Sequence, residues 1–303
     1  MNNVIEVQNL QKRYGDTIAV EDVSLQVQKG EIFGIVGPNG AGKTTTIESI
    51  IGLRKPDGGT VSVLGMNPNR EPKKLGNRIG TQLQEAALPD RMKVWEALDL
   101  YASFYDHTVP WEPLIETWGL TEKRNTQFGN LSGGQKQRLF ISLALLNDPE
   151  IVFLDELTIG LDPQARRATW DLVKAIRDQG KTVVLITHFM DEIEALADRV
   201  AIIDNGRIIA LDAPANLIAE LNGDTQVQFT LSNGFNIELL REVAGVTAVS
   251  QQNQHVVVTG TGPLLANVAT ALAQHNIAPT DLRVEQANLE DVFLALTGKK
   301  IRA

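Results

Sequence analysis

The sequence contains no cysteine, which excludes disulfides, thiolate metal ligands and cysteine nucleophiles. It is also poor in basic residues, with 28 Lys and Arg against 37 Asp and Glu, a formal charge of −9. Nucleic-acid phosphates are held by clustered Lys and Arg. Because the balance here is acidic, broad nucleic-acid binding is disfavoured and we expect no nucleic-acid partner.

Long apolar runs are missing as well. The longest, "LFISLALL" at 139–146 and "TVVLIT" at 182–187, fall far short of the roughly 20 residues that span a bilayer. The first residues, "MNNVIEVQNL", lack a basic segment followed by an apolar one, so we expect no signal peptide. Any membrane role is therefore expected to depend on a partner protein.

The length of 303 residues, with 43% hydrophobic residues, predicts one large domain and a smaller one. Polarity rises at "ELNGDTQ", around 220–226, and we place the boundary between domains 1–222 and 223–303 there. The smaller domain is predicted to be α+β, with two amphipathic helices. Their predicted apolar faces are Leu264, Leu265, Val268 and Leu272, and Leu289, Val292, Phe293 and Leu296.

Hydrophobic patterning predicts a mixed sheet in the larger domain. Alternation at 4–8 and 23–27 is typical of half-buried antiparallel strands, whereas the runs "IFGIV", "IVFL" and "TVVLIT" are typical of covered parallel strands. Helices between them imply right-handed crossovers. The stretch 71–127 has helical periodicity and predicts a mostly helical insertion, and Asn205-Gly206 predicts a hairpin with a type I′ turn.

A phosphate-binding loop is predicted at "GPNGAGKTT", residues 37–45, which we call the phosphate loop. Gly37, Gly42, Lys43 and Thr44 satisfy G-x-x-x-x-G-K-[ST] between a buried strand and a helix that begins near Gly42. In such loops backbone N–H groups surround the β-phosphate, the lysine reaches the β- and γ-phosphates, and the hydroxyl ligates Mg²⁺. The structural alternative is a Gly-rich turn with a solvated lysine.

Two adjacent carboxylates, Asp155 and Glu156, end the apolar strand of "IVFLDE". At the rim of a phosphate site such a pair can divide the work, one holding the Mg²⁺ shell and the other orienting or deprotonating water. We assign Asp155 to Mg²⁺ and Glu156 to the water. Helix capping is the alternative use of these side chains.

A second anion site is indicated by "LSGGQKQR" at 131–138. Ser132, Gly133 and Gly134 would open a helix, where unpaired N–H groups and the helix dipole favour phosphate. The pattern raises the question of why one chain needs two phosphate loops.

These motifs, with "GLD" at 160–162 and the histidine that follows "TVVLIT", together resemble the nucleotide-binding subunit of an ATP-binding cassette (ABC) transporter over about residues 3–220. The resemblance implies an α/β P-loop NTPase cassette with a mixed sheet core, an antiparallel β subdomain and a helical subdomain at about 85–145, followed by the small α+β domain. It implies ATP and Mg²⁺ as ligands and hydrolysis of ATP to ADP and phosphate.

The resemblance also answers the question of two loops. It implies a head-to-tail homodimer in which each ATP lies between the phosphate loop of one chain and residues 132–135, the signature loop, of the other. The implied nucleotide-binding residues are Tyr14, Gly37, Asn39, Gly40, Gly42, Lys43, Thr44, Thr45, Ser132, Gly133, Gly134, Gln135 and Asp162. The implied catalytic residues are Lys43, Gln84, Glu156 and His188, and the implied metal ligands are Thr44, Gln84 and Asp155.

Four of these positions have structural alternatives. Tyr14 matches the aromatic residue that stacks on adenine, or is a strand-edge tyrosine. Gln84 matches the glutamine that senses Mg²⁺ and the membrane partner, with Gln82 as its competitor. Asp162 matches the loop that crosses the dimer, or caps a helix. His188 matches the histidine that contacts the γ-phosphate, or is an ordinary residue at a strand end.

One residue departs from the family pattern: Leu157 stands where a proline often follows the catalytic glutamate. Proline would fix φ and remove an N–H, and leucine does neither. Because Asp155 and Glu156 remain, we expect hydrolysis, and the departure bears on its rate.

The segment "ANLEDVFLALTGK" at 287–299 resembles the tail of bacterial two-component (ABC-2 type) exporters, which include drug-resistance and lipid or polysaccharide exporters. Such a protein would act with an integral-membrane permease, a separate polypeptide, at the cytoplasmic face of the cell membrane. The alternative for this segment is an accessory domain that stabilises the dimer or its own cassette. The sequence does not indicate the cargo.

The main rival function is a soluble ABC ATPase that acts on nucleic acid or ribosomes. Its excision-repair members need zinc cysteines, its translation-factor members carry two cassettes, and its structural-maintenance members have a long coiled coil between motifs. None of these features is present in the sequence. A P-loop kinase or switch has no use for residues 132–135, and Glu156 disfavours a module that binds ATP without turnover.

Overall fold

The computed structural model describes residues 2–83, 87–221, 225–231, 237–275, 277–285 and 287–298. The chain forms two compact units, the first ending at Pro214 and the second beginning at Ala215. Three earlier predictions fall outside the described residues: Gln84, the start of the helical subdomain at 85, and the domain boundary between 222 and 223.

A nine-stranded sheet organises the first unit, in the order β4-β1-β2-β9-β8-β3-β7-β6-β5. The strands are β1 (Asn3–Tyr14), β2 (Thr17–Gln28), β3 (Ile32–Val36), β4 (Gly58–Val63), β5 (Ile79–Gln82), β6 (Ile151–Asp155), β7 (Thr182–Thr187), β8 (Arg199–Asp204) and β9 (Arg207–Asp212).

The centre of this sheet is parallel: β8, β3, β7, β6 and β5 lie side by side in one direction. Every residue of β3, β6 and β7 is buried, as their uninterrupted apolar sequences predict for strands covered on both faces. β8 turns into β9 through Asn205 (φ 48°) and Gly206 (φ 72°). Two consecutive positive φ angles confirm the type I′ turn.

The other end of the sheet is antiparallel, with β1 between β2 and β4. Along β2, Val23, Leu25 and Val27 are buried, whereas Ser24 and Gln26 are exposed. This alternation confirms the prediction of half-buried strands. Together with the parallel centre it forms the mixed α/β fold expected of the cassette.

The described part of the first unit contains seven helices: α1 (Lys43–Ile50), α2 (Pro72–Gly76), α3 (Val94–Ala102), α4 (Trp111–Thr117), α5 (Gly133–Leu145), α6 (Pro163–Asp178) and α7 (Met190–Leu196). Short 3₁₀ turns at Thr121–Lys123 and Phe128–Asn130 join α4 to α5. None of the helices within the described ranges has both the length and the apolar character needed to traverse a bilayer.

The prediction of a mostly helical stretch at 71–127 is wrong at β5, which pairs in parallel with β6 from Ile79↔Ile151 to Gln82↔Leu154. Four residues are too few to establish a period, and tertiary pairing decides their conformation. Packing also fixes this strand, because a Cβ on Gly80 would lie only 1.8 Å from the carbonyl oxygen of Ala144 in α5.

The second unit contains an antiparallel sheet in the order β11-β12-β10-β13. Its strands are β10 (Thr225–Thr230), β11 (Val246–Gln252), β12 (His255–Gly260) and β13 (Thr280–Glu285). A 3₁₀ turn lies at Ile237–Glu242, and the helices are α8 (Pro214–Glu220), which begins at the end of the first unit, α9 (Leu264–Gln274) and α10 (Leu289–Thr297).

Helix α9 contributes Leu264, Val268 and Leu272 to the core of this unit. The predicted apolar faces are wrong at two positions: Leu265 is 39% exposed and Leu296 is 50% exposed. Leu265 lies at the edge of the buried face of α9, about 100° round the helix from Leu264. The remaining predicted residues of both helices are buried.

Replacing Gly80 by alanine should loosen β5 from α5, because the added methyl meets the Ala144 carbonyl oxygen, which cannot yield without moving the helix. We expect the free energy of unfolding to fall by about 1–3 kcal/mol, which would lower the thermal midpoint by several degrees. The control is Gly76→Ala, where no atom lies within 4 Å of the new methyl and alanine favours the helix. Equal midpoints for the two variants would contradict this account.

Candidate functional site

The phosphate loop connects β3 to α1, whose first residue is Lys43. Gly42 must be glycine for two reasons: its φ of 102° is left-handed, and a Cβ there would lie 2.3 Å from the carbonyl oxygen of Ala19. A Cβ on Gly37 would lie 2.1 Å from the carbonyl oxygen of Ile203. These glycines let the loop pack tightly against neighbouring backbone at the start of a helix, where N–H groups lack helical partners.

The hairpin between β8 and β9 supports this loop. The N–H of Gly206 donates to the carbonyl oxygen of Ala41 at 2.9 Å, and the carbonyl oxygen of Gly206 accepts from the N–H of Glu21 at 2.9 Å. The sequence predicts the turn but carries no signal that joins residue 206 to residue 41. This supporting contact was therefore missed.

Lys43 is buried inside the loop. Its Nζ donates to the carbonyl oxygens of Gly37 at 2.7 Å and Pro38 at 3.1 Å. Burial lowers the pKa of Lys43, and the nearby carboxylates of Glu156 and Asp155 act in the opposite direction and raise it. The lysine is therefore an internal group beside two carboxylates, and the alternative of a solvated lysine is wrong.

Asp155 ends β6 and is buried. Its N–H donates to Oε1 of Gln82, a buried residue of the neighbouring strand β5, at 3.1 Å. Gln82 is therefore a structural partner of the strand that presents Asp155. Its competitor, Gln84, lies outside the described residues.

Glu156 occupies an unusual backbone conformation, with φ at 50°. Non-glycine residues rarely adopt this region, and they cluster at functional sites. Its N–H donates to the carbonyl oxygen of Ile186 at 2.8 Å, and its Oε1 lies 3.0 Å from Nδ1 of His188. Helix α6 starts only at Pro163, so the capping alternative for Asp155 and Glu156 is wrong.

A cavity of about 450 Å³ brings four predicted residues together. Its lining is Tyr14, Thr44, Thr45, Ile47, Glu48, Arg54, Leu83 and Asp155. Tyr14 is 41% exposed, and its ring lies near two cations, with Nζ of Lys12 5.6 Å and the guanidinium carbon of Arg54 5.5 Å from the ring centroid. Arg54 also pairs with Glu48. Arg54 was missed, since a single arginine after a helix gives no functional signal.

The signature loop does not line this cavity. Ser132 is the N-cap of α5: its Oγ accepts from the N–H of Gln135 at 3.3 Å, and Oε1 of Gln135 accepts from the N–H of Ser132 at 3.0 Å. Ser132 and Gly133 are exposed. The structure therefore separates the two predicted phosphate-binding segments within one chain.

Asp162 caps α6, because its Oδ1 accepts from the N–H of Ala165 at 2.8 Å. The structural alternative for this residue is thus present in the fold. Capping uses one carboxylate oxygen and is therefore compatible with the predicted role of Asp162 across a dimer.

Behind His188 lies Glu192, a fully buried carboxyl on α7 that sequence reasoning missed. Nε1–H of Trp170 donates to its Oε1 at 3.2 Å. Burial raises the pKa of Glu192, and interactions with Thr187, Trp170 and Thr158 lower it in part. Two of these partners adjoin predicted catalytic residues in the chain: Thr187 precedes His188, and Thr158 follows Glu156 by two positions.

A sequence model described as "ABC transporter" matches residues 20–159. The chain is 36% identical over 311 aligned positions to the linearmycin resistance ATP-binding protein LnrL of Bacillus subtilis, covering 99% of this chain and 100% of that protein. It is 37% identical to the Nod factor export ATP-binding protein I of Cupriavidus pinatubonensis, covering 99% of this chain and 92% of that protein.

Solved structures are similar as well. An ATP-binding subunit of an ABC transporter superposes with a TM-score of 0.66 at 28% identity, covering 72% of this chain and 93% of that one. A dimeric ATP-binding cassette in a post-hydrolysis state, bound to ADP and Pi, gives a TM-score of 0.62 at 27% identity, covering 69% and 98%.

The buried carboxyl of Glu192 should make stability depend on pH. Its pKa in the folded state is raised above the ordinary value of 4.5, so its contribution is fully present below about pH 4.5 and is lost as pH rises through the folded-state pKa. Glu192→Gln removes this titration and can still accept from Trp170. We expect the thermal midpoint of the variant to gain on that of the unmodified protein as pH rises above 4.5.

The control is Glu116→Gln, which changes an exposed carboxyl on α4. Its midpoint should follow the unmodified protein across the pH series. A constant offset between Glu192→Gln and the unmodified protein at every pH would show that burial does not disfavour the charged carboxyl.

Proposed function

The chain belongs to the ABC transporter family as an ATP-binding subunit, an ATPase coupled to transport. On that premise we propose that it binds and hydrolyses ATP between the phosphate loop and the Asp155–Glu156 pair. One observation carries this proposal. The groups that follow three adjacent parallel strands, namely Lys43 after β3, Asp155 at the end of β6 and His188 after β7, converge at the carboxyl edge of the sheet. Ligands of parallel α/β sheets bind at that edge.

Each residue has a stated task in the proposed reaction. Tyr14 stacks on the adenine, and the backbone of the phosphate loop, including Asn39, Gly40 and Thr45, holds the phosphates. Lys43 neutralises charge on the β- and γ-phosphates as the bond between them breaks.

Glu156 acts as the general base in this scheme. It takes a proton from the water whose oxygen bonds to the γ-phosphorus, while the bond from that phosphorus to the bridging oxygen breaks and ADP leaves. The 3.0 Å contact between Oε1 and Nδ1 of His188 orients the carboxylate. His188 also contacts the γ-phosphate.

Mg²⁺ is the proposed cofactor, and the donor set fits it. The Thr44 hydroxyl and the Asp155 carboxylate line the same cavity, and oxygen donors of this kind suit a hard cation that keeps several waters. Thr44 and Asp155 would hold the ion, with Gln84 as the third proposed ligand. When bound, Mg²⁺ offsets the charge that develops on the phosphate oxygens.

A second copy of the chain is proposed to complete each site. Ser132 and Gly133 are exposed at the N-terminus of the 13-residue helix α5, yet none of residues 132–135 lines the cavity of the same chain. A head-to-tail homodimer would bring the signature loop of one copy, with Asp162 beside it, to the ATP held by the other. The dimeric cassette in a post-hydrolysis state is one of the solved structures similar to this chain.

Glu156→Gln should bind ATP normally but lower its turnover at least about 100-fold, because the amide cannot accept the proton of the attacking water. ATP would then persist and hold the dimer together. We expect the variant to elute as a dimer with Mg-ATP and as a monomer without it, and to release little phosphate. Glu116→Gln, an exposed change on α4, is the matched control.

Lys43→Ala should abolish both nucleotide binding and dimer formation in the same column experiment. A Glu156→Gln protein that stays monomeric with Mg-ATP at saturating nucleotide, while fluorescent ATP analogues bind, would refute the dimer. Normal phosphate release by that variant would refute the role of Glu156.

The permease is proposed to dock in a groove of about 460 Å³ lined by α2, β5 and the segments that follow α1 and α3. Its lining includes two apolar side chains that are largely exposed, Leu53 (63%) and Phe104 (66%). Exposed apolar side chains around a concavity mark interaction sites. We assign the groove to a cytoplasmic segment of a separate integral-membrane permease, which would hold this chain at the cytoplasmic face of the membrane.

Export is the proposed direction, with a drug, lipid or polysaccharide as cargo. Support comes from the relatives, which are named for linearmycin resistance and for Nod factor export and align with this chain almost end to end. The second unit, which begins at Ala215, is proposed to be an accessory domain of this exporter.

Phe104→Asp should weaken the permease complex, because it places a charge where an apolar segment packs, while ATP binding by the isolated chain is unchanged. We expect a tagged protein carrying Glu156→Gln to retain a multi-span membrane protein from detergent-solubilised membranes, and to retain at least about tenfold less with Phe104→Asp added. Leu265→Asp, an equally drastic change on exposed α9 surface, is the control. Recovery of ribosomal proteins or nucleic acid instead would favour the rival function.

A further inference from the structure

Helix α6 makes two hydrogen bonds to the segment that follows His188. Arg166 and Trp170 are four residues apart on α6 and therefore share one face. Nη1 of Arg166 donates to Oδ2 of Asp191 at 2.9 Å, and Nε1–H of Trp170 donates to Oε1 of Glu192 at 3.2 Å. Because Asp191 and Glu192 are neighbours at the start of α7, these bonds fix the helix that follows His188.

Between His188 and this helix lies Phe189, which has contacts on both sides. The guanidinium carbon of Arg166 lies 4.6 Å from the centroid of the Phe189 ring. The Phe189 ring lies 4.1 Å from the His188 ring, centroid to centroid, with the planes tilted by 39°. Arg166, Phe189 and His188 therefore form a continuous stack.

The stack ends at the proposed general base, because Nδ1 of His188 lies 3.0 Å from Oε1 of Glu156. Rotation about χ2 of a histidine is broad, so a single hydrogen bond leaves its ring free to turn. A ring packed against it restricts that rotation. The planar, weakly hydrated guanidinium of Arg166 in turn suits the face of Phe189, which a lysine would contact less well.

We propose that Phe189, held by Arg166, is a positioning residue that fixes the His188 imidazole against Glu156. This inference rests on the proposed roles of His188 and Glu156 in ATP hydrolysis. Phe189 itself touches neither reacting atom, so its effect on the rate acts through His188.

Kinetic variants test the stack. Phe189→Leu should lower kcat by about 3- to 10-fold, the loss expected for one aromatic contact, with unchanged affinity for a fluorescent ATP analogue and an unchanged thermal midpoint. Phe189→Tyr keeps the ring and should restore kcat. Arg166→Lys keeps the charge beside Asp191 but loses the flat stacking surface, so we expect a smaller fall. Arg167→Lys, an exposed neighbour on α6, is the matched control.

The hydrogen bond between His188 and Glu156 can be monitored by NMR without measuring turnover. The chain has four histidines, so the ¹⁵N signals of the His188 ring can be assigned with a His188→Gln variant. In Phe189→Leu they should move toward those of a ring averaging between tautomers. Unchanged ¹⁵N shifts would overturn the proposal, as would a Phe189→Leu variant that weakens ATP binding as much as kcat.

A double-mutant cycle tests this inference separately from the proposed role of His188 in ATP hydrolysis. If Phe189 acts through His188, Phe189→Leu should change kcat less than about twofold in a His188→Ala background. An equal fall in both backgrounds would overturn the inference and leave the role of His188 intact. A His188→Ala protein with the full rate would overturn the proposed role of His188 instead.

Discussion

The parallel pairing of β3, β7 and β6 is the constraint on which the site depends. Val36 at the end of β3 pairs with Thr187 at the end of β7, and Asp155 at the end of β6 pairs with Ile186. The three strands therefore stop at one level, and the residues after them meet there. Segments separated by more than 100 positions along the chain thus form one site, because hydrogen bonds between backbones set the register.

The candidate site contains several features that are unfavourable in isolation. Glu156 is a non-glycine residue in the left-handed region, with φ at 50°, and Lys43 and Asp155 are buried ionisable groups. Each of these features is unfavourable alone. They persist because neighbouring backbone compensates: the hairpin at Gly206 bonds to the phosphate loop, carbonyl oxygens hold the lysine, and Ile186 holds Glu156.

The separation of the two predicted phosphate-binding segments is the structural basis of the proposed dimer. The phosphate loop follows β3 at the carboxyl edge of the sheet, whereas the signature loop starts α5 at the surface, with its own N–H groups partly satisfied by the Ser132 and Gln135 capping box. A site divided in this way can be completed or opened by moving whole subunits. In the proposed transporter, energy from ATP binding would therefore become relative motion of the two subunits, which the proposed permease in the groove beside Phe104 would experience.

Much of the fold and of the candidate site could be predicted from the sequence, because the sequence patterns that indicate them are local. The phosphate loop, the Asp155–Glu156 pair, the buried strands and the Asn205-Gly206 turn each depend on residues within one short segment. Prediction failed where conformation depends on distant partners. Strand β5 has too few residues to show a period, and the bond from the N–H of Asp155 to Gln82 joins two strands that are distant in the chain.

By itself, then, the sequence determined which residues can bind phosphate, accept a proton or end a helix, since those properties belong to the residue and its neighbours in the chain. Only the tertiary structure decided which of them meet. The contacts of Gly206 with Ala41, of His188 with Glu156 and Phe189, and of Trp170 with Glu192 mostly join separate elements. Packing of those elements, which no local pattern encodes, brings such partners together.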